Sequence, residues 1–289
     1  MPSRWVAGYR IYANPATYRA VLEIFGRAPR GRVLDVAAGE GALTACLADQ
    51  GFDVVACDLD PSRFQVPGRT CVACDLDRGL PFRDASFDHL ACLESIEHLR
   101  DPFRLVAECR RVLRPGGRLV ISTPNLLNLG SRVKFLLTGF HSLVARPLNE
   151  FEPRPLLDHV TPLTYYQLRY ILRREGFEER LVTTDRRRRS GWALLWLWPL
   201  VAALGRWTMR KEVDPRQLAA NREIRRRLRS LDLLLGRTLI VEAELPAGQP
   251  AVEAPEAAGR SSPVRLDSGR PGRDAARLSA AGAGAGRAS

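Results

Sequence analysis

Between residues 31 and 125 the chain alternates short continuous apolar runs with longer segments of helical period. The runs are RVLDVA (32–37), DVVACD (53–58), RTCVACD (69–75), FDHLACL (87–93) and GRLVISTP (117–124). They do not alternate apolar with polar positions, so they predict strands buried on both faces. Strands of that kind separated by helices predict an α/β, doubly wound, mostly parallel sheet. Two more strands are expected at EERLVTTD (178–185) and RTLIVEAEL (237–245). In TPLTYYQLRYILRREGF (161–177), Leu168, Ile171 and Leu172 share one helical face, and Gly176 is placed to end that helix.

These patterns divide the chain. Residues 1–30 lead in, with a helix expected over Pro15–Gly26; residues 31–185 form the core; residues 186–236 interrupt it as a helical insert; residues 237–245 return as the last core strand. From residue 246 to 289 the composition is Ala, Gly, Pro, Ser and Arg without aromatics or periodicity, which predicts a disordered tail.

Charge sharpens the picture of the insert. The formal net charge is +12, and all but Lys134 and Lys211 of the basic residues are arginines. From Arg186 to Arg237 there are thirteen arginines and one lysine against Glu212, Asp214, Glu223 and Asp232, so most of the excess lies in one block. A local basic block implies a docking surface more than a generally basic protein. The six cysteines, Cys46, Cys57, Cys71, Cys74, Cys92 and Cys109, sit mostly within apolar stretches. Cys71 and Cys74 form a CxxC with no second pair to complete a zinc site, so buried reduced thiols are expected. The segment MPSRWVAGYR lacks the apolar run of a signal peptide, and a cytoplasmic location follows as an expectation.

The candidate chemistry begins after the first core strand, in VLDVAAGEGALTACLA. Small residues at Ala37, Ala38, Gly39 and Gly41 let the backbone approach a ligand at the start of a helix. The dinucleotide spacing fails, because Thr44 stands where a third glycine belongs. Asp58 closes the second strand, and an acid there can accept both ribose hydroxyls of an adenosine ligand.

The stretch ACDLDRGLPFRDASFDHLACLESIEHLRDPFRLVAECRRVLRPGGRLVISTPN resembles the class I S-adenosylmethionine-dependent methyltransferases, within the type 11 group that includes the ubiquinone-biosynthesis O-methyltransferases. The resemblance covers roughly residues 30–185. It implies a Rossmann-like, seven-stranded sheet with an antiparallel last strand, and S-adenosyl-L-methionine as cofactor. Asp35, Ala37, Gly39 and Gly41 would hold the methionine part; the family usually has glycine where this chain has Ala37. Asp58 would bind the ribose and Leu59 would flank the adenine. Asp75 and Leu76 would meet the adenine amino group, and Leu93 and Glu94 would line the methyl donor's edge. Methyl transfer needs alignment more than elaborate acid–base machinery, so the acceptor side carries a weaker signature.

In Glu94-Ser95-Ile96-Glu97-His98, a helical turn would set both glutamates and the histidine on one face. Quinone O-methyltransferases hold a divalent cation such as Mg2+ with a segment of this form, which makes Glu94, Glu97 and His98 candidate ligands. Alternatively, His98 is the general base on the acceptor hydroxyl, or the glutamates only cap and hydrogen-bond locally. His159 is read as opening the next helix, either touching substrate or capping it. Tyr9 and Tyr12 are candidates for a lid helix over the cofactor, or for plain aromatic packing. His89 and His141 are given no role.

The insert opens with RRRRSGWALLWLWPLVAALGRW. Its apolar run from Trp192 to Leu204 is too short to cross a bilayer. Tryptophans flanked by arginines suit an interface. Beyond it, Leu218, Ile224, Leu228, Leu231 and Leu235 trace an apolar face, with Arg222, Arg225, Arg226 and Arg229 largely off it. Two readings stand: a segment on an anionic membrane surface or shaping a pocket for an amphiphilic acceptor, or a helical hairpin packed on the sheet edge or in a dimer. The block lacks the aromatic-basic strand pattern of nucleic-acid modules. The expectation is therefore a cytoplasmic enzyme, peripheral on the inner membrane face, that methylates oxygen of a small-molecule or lipid-linked acceptor. Rivals are nitrogen or carbon methylation and a catalytically silent scaffold binding through the insert. A nicotinamide dehydrogenase is opposed by Thr44 and by the LRPGG segment.

Overall fold

The computed structural model describes residues 5–142, 151, 159–210, 212 and 214–248, so the tail expected to be disordered lies almost wholly outside the described residues. The strands are β1 (Trp5–Val6), β2 (Tyr9–Arg10), β3 (Arg32–Val36), β4 (Asp53–Asp58), β5 (Cys71–Ala73), β6 (Phe87–Leu93), β7 (Leu113–Pro124), β8 (Glu178–Thr184) and β9 (Thr238–Glu244). The helices are α1 (Pro15–Gly26), α2 (Ala42–Asp49), α3 (Pro102–Val112), α4 (Leu129–Thr138), α5 (Tyr165–Arg174), α6 (Arg189–Trp192), α7 (Trp198–Thr208), α8 (Pro215–Leu228) and α9 (Leu231–Leu235).

Seven strands form one sheet in the order β5-β4-β3-β6-β7-β9-β8. Pairings from β5 through β7 are parallel, and β9 runs antiparallel to both β7 and β8. Strand order reverses between β3 and β6, and in such sheets the crevice at the carboxyl ends of those strands receives ligands. The apolar runs explain both faces. Val33, Val54, Ala91, Val120 and Ile240 meet Val21, Ile24 and Phe25 of α1 and Leu43 and Leu47 of α2. Their neighbours Leu34, Leu90, Leu119 and Ile121 point the other way, onto Leu105, Val106 and Cys109 of α3 and Leu168, Ile171 and Leu172 of α5. Period two therefore feeds two cores.

Local chemistry starts the helices where the sequence placed them. Asn14 caps α1 ahead of Pro15, and Asp101 caps α3 ahead of Pro102. Thr164 and Gln167 form a reciprocal capping box on α5. His159 therefore does not cap that helix; it lies in the segment before it. Gly176 takes φ +80° just past the end of α5, as expected. Residues 5–10 form a two-strand hairpin turned at Ala7 and Gly8, so Tyr9 lies on a strand and, among the described residues, no helix precedes α1.

The insert packs on the β9 side of the sheet. Buried Leu234 and Leu235 join Leu129 of α4, with Leu194, Leu195, Leu197 and Val201 against them. Asn125 Nδ2 donates to the Leu233 and Gly236 carbonyls, both at 2.9 Å, tying α9 to the end of β7. Buried Arg169 of α5 bonds Glu179 and, at 2.7 Å, Glu223 of α8. On the expected apolar stripe Ile224 and Leu235 are buried, whereas Leu218 and Leu231 are exposed. Among the described residues no helix is long and apolar enough to cross a membrane.

Candidate active site

The loop after β3 is shaped by backbone. Ala37, Gly39 and Gly41 have φ of +60°, +57° and +95°. A Cβ on Gly41 would stand 2.3 Å from Val66 Cγ2 and 2.7 Å from Phe64 Cε2, so glycine is needed there for space as well as conformation. A Cβ on Gly39 would meet nothing within 4 Å, so that backbone borders open space. Ala37 adopts a conformation that costs a non-glycine residue about 1–2 kcal/mol.

Adjacent strand ends are stitched to this loop. Asp58 Oδ2 accepts from Gly39 N at 2.8 Å and Oδ1 accepts from Asp60 N at 2.9 Å. Each carboxylate oxygen keeps a lone pair for a further donor. Leu59, next to it, is exposed. Cys74 N donates to Asp58 O at 2.8 Å, which brings in the end of β5. There Asp75 accepts from Asp77 N and pairs with Arg78 at 3.2 Å, while Leu76 packs toward the core. All six cysteines are free, and Cys57, Cys74, Cys92 and Cys109 are buried.

The floor of the crevice is acidic. Asp35 is buried beneath the loop and accepts from Thr44 Oγ1 at 2.6 Å. Burial pushes its carboxyl up to about 7 against the bond from Thr44. Leu93 ends β6, and Glu94 follows it with φ +48°, its carboxylate accepting from Ser122 Oγ at 3.1 Å. Burial, then the charge of Asp185, lifts Glu94 to about 7. Glu97 is 1% exposed; it accepts from Thr123 Oγ1 at 3.0 Å, and its other oxygen has no hydrogen-bond partner. Burial, then Glu94, holds it well above the usual carboxylate range.

Glu94, Glu97 and His98 do not lie on one helical face. Strand β6 runs to Leu93, and only Ile96–His98 winds, as a single 3-10 turn. Glu94 turns toward Ser122 of β7, while Glu97 and His98 converge instead with His159: one ligand-capable atom from each lies within 4.8 Å of the others. The His98 and His159 rings meet edge to face at 5.0 Å. Thr161 fixes the segment carrying His159, donating from N to Glu97 O at 2.9 Å and from Oγ1 to Leu99 O at 2.7 Å. His89 is buried against Phe25 and Phe52 with Nε2 near the Pro29 carbonyl at 2.9 Å, and His141 stacks on Phe135; neither enters the site.

Two contributors stand apart from the expected set: Tyr18, which carried no sequence signal, and the segment 5–12, expected as a lid helix and found as a hairpin. Tyr18 of α1 lies near enough to Asp35 and Glu94 for both, after burial, to raise its phenol. The hairpin also reaches the loop: Arg10 N donates to Glu40 at 2.7 Å, and Tyr12 meets Arg63. A tyrosine at helical spacing reads like core, and a contact across 30 residues leaves no local pattern.

Residues 34–121 match the family model described as "Methyltransferase domain". The demethylmenaquinone methyltransferase of Beutenbergia cavernae is 37% identical over 139 residues, 45% of this chain and 58% of that protein. The ubiquinone biosynthesis O-methyltransferase of Xylella fastidiosa is 42% identical over 106 residues, 32% of this chain and 42% of that protein. The chain thus spans only about half the length of these curated relatives. A SAM-dependent methyltransferase structure from Archaeoglobus fulgidus aligns over 79% of this chain and 91% of its own, at 20% identity and a TM-score of 0.49. From residue 34 to residue 121 the chain is similar to this methyltransferase domain.

Proposed function

We propose that this protein transfers a methyl group from S-adenosyl-L-methionine to oxygen of a small-molecule or lipid-linked acceptor in the cytoplasm. The observation that carries the reading is the continuous stitch from the Gly39 amide to Asp58 at the ends of β3 and β4, over buried Asp35. The residues fit the cofactor. Gly39 borders open space, Leu59 offers an exposed apolar surface for a flat base, and Asp58 keeps lone pairs for two ribose hydroxyls. Burial raises the carboxyls of Asp35, Glu94 and Glu97, and a neighbouring sulfonium and ammonium would favour their ionised forms.

Bound there, S-adenosyl-L-methionine would supply an electrophilic methyl for the acceptor oxygen, its sulfur keeping the electron pair of the broken S–C bond. The chain's own part is alignment and one proton. His98 or His159, held together by the Thr161 strap, takes the acceptor hydroxyl proton on a ring nitrogen. The two curated relatives are named for menaquinone and ubiquinone chemistry, which favours a hydroxylated quinol-like acceptor. Calorimetric titration with S-adenosyl-L-methionine tests the first half. Saturable binding lost in Asp58→Ala supports the reading, and folded wild-type protein that does not bind overturns it.

A second reading of the acceptor side rests on Glu97, His98 and His159. With the unpartnered Glu97 oxygen among them, they could hold a divalent cation such as Mg2+ that polarises the hydroxyl. Transfer that survives a chelator favours the histidine base; transfer lost to the chelator and restored by Mg2+ favours the cation.

A further inference from the structure

The surface departs most from an ordinary soluble one on the insert. Helix α7 is mostly apolar in sequence and has no buried residue. Trp196 is 73% exposed and Trp207 67%, and Trp192, Trp198, Leu200 and Leu204 are exposed as well. Helix α4 adds exposed Phe135, Leu136 and Leu137, with Leu136 at 83%. Leu136, Leu200 and Leu204 share one face: they line a groove of about 370 Å³ between α4, α7 and α8, edged by Arg132, Arg225 and Arg229, and Trp207 lies one turn from Leu204 on the same side of α7. Trp198 Nε1 donates to Arg229 O at 3.4 Å and fixes α7 against the end of α8. A contiguous apolar face of this kind marks a binding surface.

Charge identifies what it binds. Arg206 and Arg210 flank Trp207, and Arg187 and Arg189 precede Trp192; all four are exposed. The insert's acids make contacts of their own: Glu223 bonds Arg169, Asp232 bonds Arg187, Asp214 caps α8, and Glu212 accepts from Asp214 N at 3.0 Å. Tryptophans ringed by cations on a helix too short to span match the headgroup layer of an anionic bilayer, which asks for apolar side chains and positive charge but no complementary pocket.

We propose that the α4–α7 face docks on the surface of an anionic lipid bilayer, with Trp196, Trp207 and Leu136 in the headgroup layer and Arg206 and Arg210 against lipid phosphates. The docking stands on this surface alone and is independent of the methyl-transfer reading. The test is co-sedimentation of the full chain with phosphatidylcholine vesicles, with and without phosphatidylglycerol, across salt. The chain should pellet with the phosphatidylglycerol vesicles, and release as salt rises. Brominated lipid should quench its tryptophan fluorescence. Arg206→Ala and Arg210→Ala should each weaken vesicle affinity about fivefold. The pair Trp196→Ser with Trp207→Ser should weaken it about tenfold or more. All four are exposed, so melting temperatures should not move, and circular dichroism checks this. Wild-type protein that stays in solution with both vesicles overturns the proposal. So does equal binding to neutral vesicles, or self-association that the tryptophan variants abolish while vesicle binding persists, which would make the face an interface between copies.

Discussion

The two halves of the crevice are built on different principles. On the β3–β4–β5 side the groups proposed to face the cofactor are backbone amides and strand-end acids, fixed by hydrogen bonds such as Gly39 N to Asp58. On the β6–β7 side they are side chains gathered from separate segments: Glu94 and Glu97 after β6, Ser122 and Thr123 on β7, and His159 from a strap far along the chain. The first arrangement suits a ligand that does not change; the second can be rebuilt for each acceptor. Cofactor affinity and turnover should therefore respond to different residues.

The largest effect is expected on turnover. With the histidine base, His98→Ala should lower kcat about a hundredfold to ten-thousandfold and leave the Kd for S-adenosyl-L-methionine unchanged. Asp58→Ala should do the reverse, weakening cofactor affinity about a hundredfold or more through two lost charge-assisted bonds. Calorimetry on both variants with single-turnover assays reads the contrast. A His98 variant that loses cofactor affinity would dissolve the distinction between the halves.

The same distinction explains what the sequence could disclose. The β3 loop was legible because left-handed backbone and close approach demand small residues at fixed spacing, and a strand-end acid follows at a fixed distance. The central strands β3, β6 and β7 and the strand β9 were legible because burial on both faces forces continuous apolar runs. Glu94, Glu97 and His98 were read on a helical periodicity that the chain does not adopt: the strand ends at Leu93, the turn is 3-10, and His159 completes the cluster. No periodicity links residues that far apart. Thr164 and not His159 caps α5, and the signal for it is local: Thr164 and Gln167 stand three apart, as a capping box requires. In the insert Ile224 and Leu235 of the expected stripe are buried, whereas Leu218 stands six residues from Ile224 and off its face of α8, and Leu231 lies past the break at Arg229 and Ser230, at the start of α9.

The acids beneath the loop predict a pH response of intermediate size. Asp35 titrates at about 7 in the folded protein against an ordinary 3.8, and Glu94 at about 7 against 4.5. A raised acid holds its proton in the folded state after the unfolded chain has released it. Between about pH 4 and 7 the folded form therefore binds more protons, and stability falls as pH rises, by up to about 1.4 kcal/mol per pH unit per group. Above pH 7 both states are ionised and the decline stops. Asp35→Asn should flatten the slope across that window in thermal unfolding, and the cofactor should bind more tightly as pH climbs through 7. Wild-type and Asp35→Asn stabilities that run parallel from pH 5 to 7 would mean that this acid is already charged in the fold.

The smallest effect separates strain from function in the loop itself. Ala37 sits at φ +60° between the end of β3 and Gly39. Glycine there would relieve about 1–2 kcal/mol of steric cost, and would lose about 0.4–1 kcal/mol to the larger freedom of the unfolded chain. Ala37→Gly should therefore raise stability by about 0.5–1 kcal/mol, read as a small increase in melting temperature. If its methyl only bears strain, affinity for S-adenosyl-L-methionine should stay the same or improve slightly. If the methyl contacts the cofactor, stability rises while affinity drops, and Ala37 then belongs to the binding surface and not only to the turn that shapes it.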